Sequence, residues 1–185
     1  LESLPVVTMQ ALSGAGLPGV PAIEAVGNII PYISGEEGKI PEELSKIWGE
    51  WDGSCFVPHA ASITAQCNRV PVVEGHLASL FFRLSEKPEE KDVSGVMADL
   101  RQDSFISTLP TAPSTPLRYF DHPGYPQPRL HKGLGAGMTV SAGGLRTAGE
   151  GVFQCLVLSH NTIRGAAGAA LLNAELCVKQ GRVRV

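Results

Sequence analysis

Four side chains have types and spacings that could do chemistry together. Arg69 closes the apolar stretch "SITAQCNR", and His76 opens the next one, "HLASLFFRL", seven residues later. Were the two strands to converge, the guanidinium could grip a carboxylate through two parallel hydrogen bonds, and the imidazole could hold or move a proton near neutral pH. The same pair reads equally as a surface arginine and a core histidine satisfied by a backbone group, and spacing does not choose between them. Glu43 and Lys46, in "EELSKI", stand at i and i+3 and share one face of a helix. By spacing alone they form a surface salt bridge of little worth.

Other chemistries fit poorly. "SGAGLPGVP" contains Gly14, Gly16 and Gly19 and so spells G-x-G-x-x-G. A dinucleotide site would need a strand before these glycines, a helix after them, and a second strand ending in an acidic residue about 20 residues on. Pro31 interrupts the stretch where that second strand should end, and Glu36 and Glu37 read as part of a Gly-flanked turn, so a tight strand-to-helix turn is expected instead. A zinc site of Cys55, His59, Cys67 and His76 would have the spacing C-x3-H-x7-C-x8-H, which matches no usual structural pattern, and no metal is expected. A nucleophile has no local signature: G-x-S-x-G is missing, and no cysteine lies in an electropositive, glycine-rich turn.

The elements that must position these residues can be read in part. Strands are expected over Pro5 to Leu12, over roughly 61 to 70 and 76 to 84, and in "MTVSAGGLR" and "VFQCLVLS". In the third of these, His76, Ala78, Leu80, Phe82 and Leu84 share a face, which sets His76 in line with a buried apolar row. Helices are expected from "VPAIEAV", from Lys39 to Trp51 with Pro41 at the start and Gly49 as the stop, in the charged segment after Ser85, and from about 160 to 181, capped near Ser159 to Asn161 and ended by Gly181. The "GAAGAA" face of the last helix lacks side-chain bulk, so something should approach it closely. The segment from Thr108 to Leu130, with Pro110, Pro113, Pro116, Pro123, Pro126 and Pro128, is expected to hold no regular structure and to wrap a surface. This order of elements predicts an α+β or mixed α/β layer.

Bulk properties narrow the partners. The 185 residues suffice for one domain with a sizeable core. Fifteen Lys and Arg against 18 Asp and Glu leave a net charge of -3, no field for nucleic acid or an anionic membrane. No apolar run approaches the ~18 residues needed to span a bilayer, and no signal peptide opens the chain. A cytosolic protein is expected, with Cys55, Cys67, Cys155 and Cys177 as free thiols. The chain opens with Leu1 almost directly on a strand, which suggests a piece of something longer.

Taken together, "TMQALSGAGLPGVP", "NIIPYISGEEGKI", "CNRVPVVEGH", "PQPRLHKGLGAGM" and "LSHNTIRGAAGAALLNAEL" resemble, in the same order, the C-terminal half of aspartate-semialdehyde dehydrogenase in its archaeal and fungal branch. The resemblance implies a mixed, largely antiparallel sheet flanked by helices, similar to the C-terminal domain of glyceraldehyde-3-phosphate dehydrogenase. It implies a single catalytic and dimerisation domain over 1–185, its last helix packing on an NADP-binding domain outside this chain. The implied reaction is reduction of L-aspartyl-4-phosphate to L-aspartate-4-semialdehyde by NADPH with release of phosphate, in lysine, methionine and threonine biosynthesis, by a cytoplasmic homodimer or homotetramer. By the same resemblance Gln10 positions the thioester beside the catalytic cysteine, Glu43 and Lys46 contact the substrate amino group and phosphate, and Arg69 grips the α-carboxylate. His76 is the general acid/base, and Asn161 and Gly165 lie at the nicotinamide. The family's Asn-Cys nucleophile has no counterpart in this sequence, so the chain alone is expected to be inactive. Alternatives are a non-catalytic dimerisation module and a related acyl-phosphate or acyl-CoA reductase of other specificity.

Overall fold

Strand β1, Ser3–Gln10, alternates as a half-buried strand must, with Leu4, Val6, Thr8 and Gln10 turned inward. The computed structural model describes residues 1–183, so the last two residues of the expected domain lie outside it. After β1 the glycine-rich loop leads only to a one-turn helix, α1, Ala22–Ala25, too short for a dinucleotide-binding unit. Helix α2, Glu36–Ile47, precedes a two-stranded ladder of β2, Glu50–Trp51, and β3, Phe56–Val57. Strands β4, Ser62–Arg69, and β5, His76–Arg83, follow, then helix α3, Glu90–Asp99, closed at its N-terminus by reciprocal bonds between Glu89 and Asp92. The remaining elements are β6, Leu117–Phe120; α4, Pro128–His131; the β7–β8 hairpin, Val140–Gly149 and Val152–Ser159; and α5, Gly168–Lys179.

Six strands form one mixed sheet in the order β4-β1-β5-β8-β7-β6, parallel at the two outer pairs and antiparallel between. The expected α+β architecture therefore holds. Its register decides what meets what. Gln10 stands opposite Arg69, Met9 opposite Leu77, and His76 opposite Ser159. The C-terminal ends of β1, β4 and β8 and the start of β5 thus collect at one end of the sheet.

The core lies along the sheet's middle strands. Phe153 on β8 is 1% exposed and stacks on Phe82 of β5 with ring centroids 5.6 Å apart, while Leu158, Cys155 and Cys67 are also fully buried. All four thiols are free. Among the described residues no helix is long and apolar enough to cross a membrane.

Three local expectations are corrected. Helix α2 begins at Glu36 rather than near Pro41 and ends at Ile47 rather than Trp51. Glu36 and Glu37 open the first turn, where carboxylates suit the helix dipole. Both also find tertiary partners: Glu37 accepts the Cys67 N–H at 3.0 Å, covering a donor on the outer edge of β4. Those contacts outweigh Pro41 inside the helix, and Trp51 is drawn into its ladder with Phe56.

The proline-rich segment does hold regular structure. Four proline-free residues, "LRYF", make β6 at the sheet edge, where flanking prolines are tolerated, and Pro128 occupies the first turn of α4, where its missing N–H costs nothing. The last helix also starts differently: no side chain caps it, and a π-turn over Ile163–Ala167 precedes α5. The close approach expected on its small face is made at Gly168, where an added Cβ would strike Met138 and Ile163; one on Gly165 would meet only the His160 carbonyl, at 3.6 Å.

Replacing Phe153 by Ala removes the most completely buried ring, so a loss of about 3–5 kcal/mol in urea-unfolding stability is expected. Full retention of stability would show that the β5–β8 face is not the core.

Candidate active site

Where the strand ends collect, a cavity of about 510 Å³ opens, lined among others by Gln10, Ser13, Gly14, Glu36, Arg69, His76, Ser159, Asn161 and Gly165. Five of the seven residues singled out from sequence therefore stand together. The sheet register explains the first three: Gln10 and Arg69 are facing partners at the ends of parallel strands, and His76 begins the antiparallel neighbour. Asn161 and Gly165 follow the end of β8.

Arg69 is 7% exposed, and its one side-chain hydrogen bond among the described residues runs from Nη1 to the Ala11 carbonyl, at 2.8 Å. Burial pulls its guanidinium below the ordinary value and the nearby Glu36 carboxylate opposes that; arginine nonetheless keeps its charge. A buried cation with most of its donors free, beside a cavity, is a place for an anion.

His76 is held by the backbone of the same residue: the Ala11 N–H donates to its Nδ1 at 3.1 Å. Burial, and secondarily the Arg69 charge, push the imidazole from 6.5 down to about 4, with Glu36 acting weakly the other way. The ring is neutral at physiological pH. Gln10, also 7% exposed, donates from Nε2 to Glu36 Oε2 at 3.3 Å and to Thr8 Oγ1 at 3.5 Å. Asn161 ties the rim together. Its Oδ1 accepts the Gly75 N–H at 2.9 Å, and its Nδ2 donates to Ser13 Oγ at 2.8 Å.

Glu43 and Lys46 are not brought to this cavity; both are exposed and no ion pair joins them. The glutamate at the cavity is Glu36, whose Oε1 pairs with Lys39 at 3.3 Å. The two Glu-x-x-Lys pairs lie seven residues apart on one helix, which preserves the face but displaces the second by about 10 Å along the axis. Glu36 was legible in principle, since "EEGK" has the same i, i+3 spacing. Ser13, Ser159 and the role of the Ala11 peptide carried no sequence signal.

The thiols supply no activated nucleophile among the described residues. Cys67 is buried beside Thr8 and Gln10 and burial pushes its thiol up; Cys155 is pushed up to about 11. Cys55 is exposed, its Sγ donating to Asp52. No group of three or more His, Cys, Asp or Glu among the described residues could hold a metal ion.

Sheet topology and cavity together define an α+β domain of the type that forms the C-terminal half of glyceraldehyde-3-phosphate dehydrogenase-like enzymes. Residues 1–164 match the family "Semialdehyde dehydrogenase, dimerisation domain", and the chain belongs to that family. It is 39% identical over 180 residues to an aspartate-semialdehyde dehydrogenase of Archaeoglobus fulgidus, covering 97% of this chain and 51% of that protein. A relative of the same name from Aspergillus fumigatus is 41% identical, with 99% and 53% covered. The crystal structure of aspartate semialdehyde dehydrogenase with NADP from Candida albicans superposes with a TM-score of 0.86 at 37% identity, covering 98% of this chain and 52% of that one. The chain thus spans about half the length of the curated relatives it matches.

Two outcomes follow. A Cβ on Gly14 would lie 2.7 Å from His76 Cε1, 2.8 Å from its Nε2 and 2.9 Å from Arg69 Nη1, so Gly14→Ala should displace these side chains, lower urea-unfolding stability and obstruct ligand binding at the cavity; unimpaired binding would place the ligand elsewhere. The depressed His76 value means the unfolded chain binds a proton more readily between pH 6.5 and about 4. His76 therefore contributes stability above pH 6.5 that is lost on acidification toward pH 4, up to about 3 kcal/mol. Urea unfolding of wild type and His76→Gln across that window should show wild type losing more; parallel curves would show the ring is not desolvated.

Proposed function

We propose that this chain is the C-terminal catalytic and dimerisation part of an aspartate-semialdehyde dehydrogenase, which reduces L-aspartyl-4-phosphate to aspartate semialdehyde with release of phosphate. The observation that carries the reading is the buried Arg69 guanidinium, with one bond to Ala11 and the rest of its donors free beside a cavity shared with His76, Gln10 and Glu36. A short amino-acid phosphate carries the matching groups. Arg69 holds the α-carboxylate, Glu36 faces the amino group, and Lys39, paired with Glu36 and mostly exposed, faces the phosphate; this pair takes the place expected for Glu43 and Lys46. Gln10 orients the acyl carbonyl, and His76 holds a proton at the oxygen that becomes charged.

NADPH would supply the hydride. The residues here fit the nicotinamide end of such a cofactor and not its phosphates. Gly165 and Ala166 are exposed at the cavity without side-chain bulk, whereas the loop of Gly14, Gly16 and Gly19 leads to a single helical turn and faces His76. Asn161 serves by holding Gly75 and Ser13 at the cavity rim. The nucleophile and the cofactor's phosphate site belong to the half of the relatives that this chain does not cover. A homodimer through this domain, working in the cytoplasm on a biosynthetic route, completes the reading; large exposed apolar side chains such as Ile23, Val26 and Leu171 are available for contact with a partner or with that other half.

The test is phosphate-dependent NADPH formation from aspartate semialdehyde by the complete encoded protein. His76→Ala should lower kcat about 100-fold or more, and Arg69→Ala should act mainly through KM. Glu36→Ala should raise KM while Glu43→Ala leaves it unchanged. A well-folded dimer silent with this substrate would favour a non-catalytic dimerisation module or a reductase of other specificity; an effect of Glu43→Ala equal to that of Glu36→Ala would overturn the reassignment.

A further inference from the structure

The loop that delivers His76 to the cavity is fastened on two sides. On one, Leu12 and Ser13 donate through their N–H groups to the carbonyls of Val72 and Val73, at 2.7 and 3.1 Å. On the other it rests on α4. Gly75 has a φ of +98°, and a Cβ there would come within 3.3 Å of the Cβ atoms of Pro128 and Lys132 and 3.4 Å of Leu158 Cδ1, so left-handed backbone and close approach both demand glycine.

Glu74 acts on this second side. Its Oε2 accepts from Lys132 Nζ, just past the end of α4, and lies 3.8 Å from His160 Nε2. The hydrogen bond and charge of Lys132 hold the Glu74 carboxyl below its usual range, and His160 adds a smaller effect in the same direction. Among the described residues no other carboxylate pairs with Lys132 or His160.

His160 passes the link on. Its side chain is 7% exposed, its Nδ1 shares a hydrogen bond with Thr162 Oγ1 at 3.2 Å, and its carbonyl accepts the Gly165 N–H at 2.9 Å. That last bond spans five residues and leads into the π-turn over Ile163–Ala167. Two neighbours before β5, Glu74 and Gly75, thus grip two neighbours after β8, His160 and Asn161. His76 follows the first pair directly, and Gly165 hangs from the second by a main-chain bond.

We propose that Glu74 is a positioning residue: through Lys132 and His160 it holds the loop before β5 against the turn after β8, and so fixes the separation between the His76 imidazole and the small-residue wall at Gly165. The proposal rests on the reading of that wall as the nicotinamide side and of His76 as the group that handles the proton. A carbon reacting between the two needs both walls in register, since a misplacement of about 1 Å costs up to about 100-fold in rate. Arg69 stands outside this linkage, tied to the Ala11 carbonyl from β4, so carboxylate binding is spared.

Two measurements on the complete encoded protein test this. Hydrogen exchange read by mass spectrometry should show, in Glu74→Ala, about 10-fold or faster exchange in peptides covering 70–76 and in those covering 160–168, with the peptide around Phe153 unchanged. Acceleration confined to 70–76, or found in neither segment, overturns the link whatever the activity. In phosphate-dependent NADPH formation, Glu74→Ala should lower kcat about 10- to 30-fold and raise the KM for NADP about 3-fold, with the KM for aspartate semialdehyde within about 2-fold of wild type. Lys132→Ala should do the same, Lys132→Arg should stay within about 2-fold of wild type, and the double Ala variant should be no worse than either single. Unchanged kcat in Glu74→Ala, a Lys132→Arg as poor as Lys132→Ala, or additive losses would each overturn the pairing. Should Glu74→Ala fail to fold, Glu74→Gln, which keeps the shape and removes the charge, takes its place with the same expectation. A wild type that does not turn over this substrate sinks the functional reading and the kinetic consequence with it, while hydrogen exchange still decides the linkage.

Discussion

The site depends on the backbone of one buried residue. Ala11 stands where β1 has ended and its backbone no longer has a strand partner, yet it is sealed from water, so its N–H and carbonyl must be satisfied from elsewhere. They are met by His76 and Arg69, which belong to different strands and bind the two successive peptide groups on either side of the Ala11 Cα. One backbone unit thereby sets the distance and orientation between a cation and a neutral imidazole. Losing His76 would leave the Ala11 N–H buried and unpaired, at a cost of about 1–3 kcal/mol, whereas the Ala11 carbonyl also accepts the Gly14 N–H at 3.1 Å.

Charge in the cavity is arranged around that unit. Burial first, and then the positive charge of Arg69, depress the protonation of His76, and Glu36 offsets them from α2 while accepting a hydrogen bond from Gln10. Glu37, one residue on, covers the Cys67 N–H on the outer edge of β4, so the same helical turn that delivers a carboxylate to the cavity also closes the sheet edge. On the far side Asn161 draws Ser13 and Gly75 together, and small residues at Gly165 and Ala166 leave that wall open. The cavity is thus anion-seeking at Arg69, with a carboxylate nearby and an open small-residue wall.

Much of this was legible in the residue order. The apolar, strand-like runs placed β1, β4, β5 and β8 within a residue or two, although β5 is half-buried along nearly its whole length rather than buried on the one face its apolar row predicts. The segment 108–130 misled. Its prolines announce irregularity, but β6 forms in a proline-free gap only because β7 offers it an edge. Glu43 and Lys46 share a helix face with Glu36 and Lys39 because a helix repeats its face every seven residues, and only the packing of α2 on β4 puts Glu36, in its first turn, at the cavity.

By itself the sequence determined which residue types were available and which faces they shared: an arginine and a histidine at strand ends, the histidine in line with an apolar row, and a glycine-rich turn unsuited to a dinucleotide. Those are local properties, set by spacing and backbone preference. Only the tertiary structure decided that parallel pairing of β1 with β4 and antiparallel pairing of β1 with β5 bring Gln10, Arg69 and His76 to one end of the sheet, and that the backbone of a single buried residue serves two of them. Strand order and the burial of one backbone group are consequences of long-range packing, which no local window of residues contains.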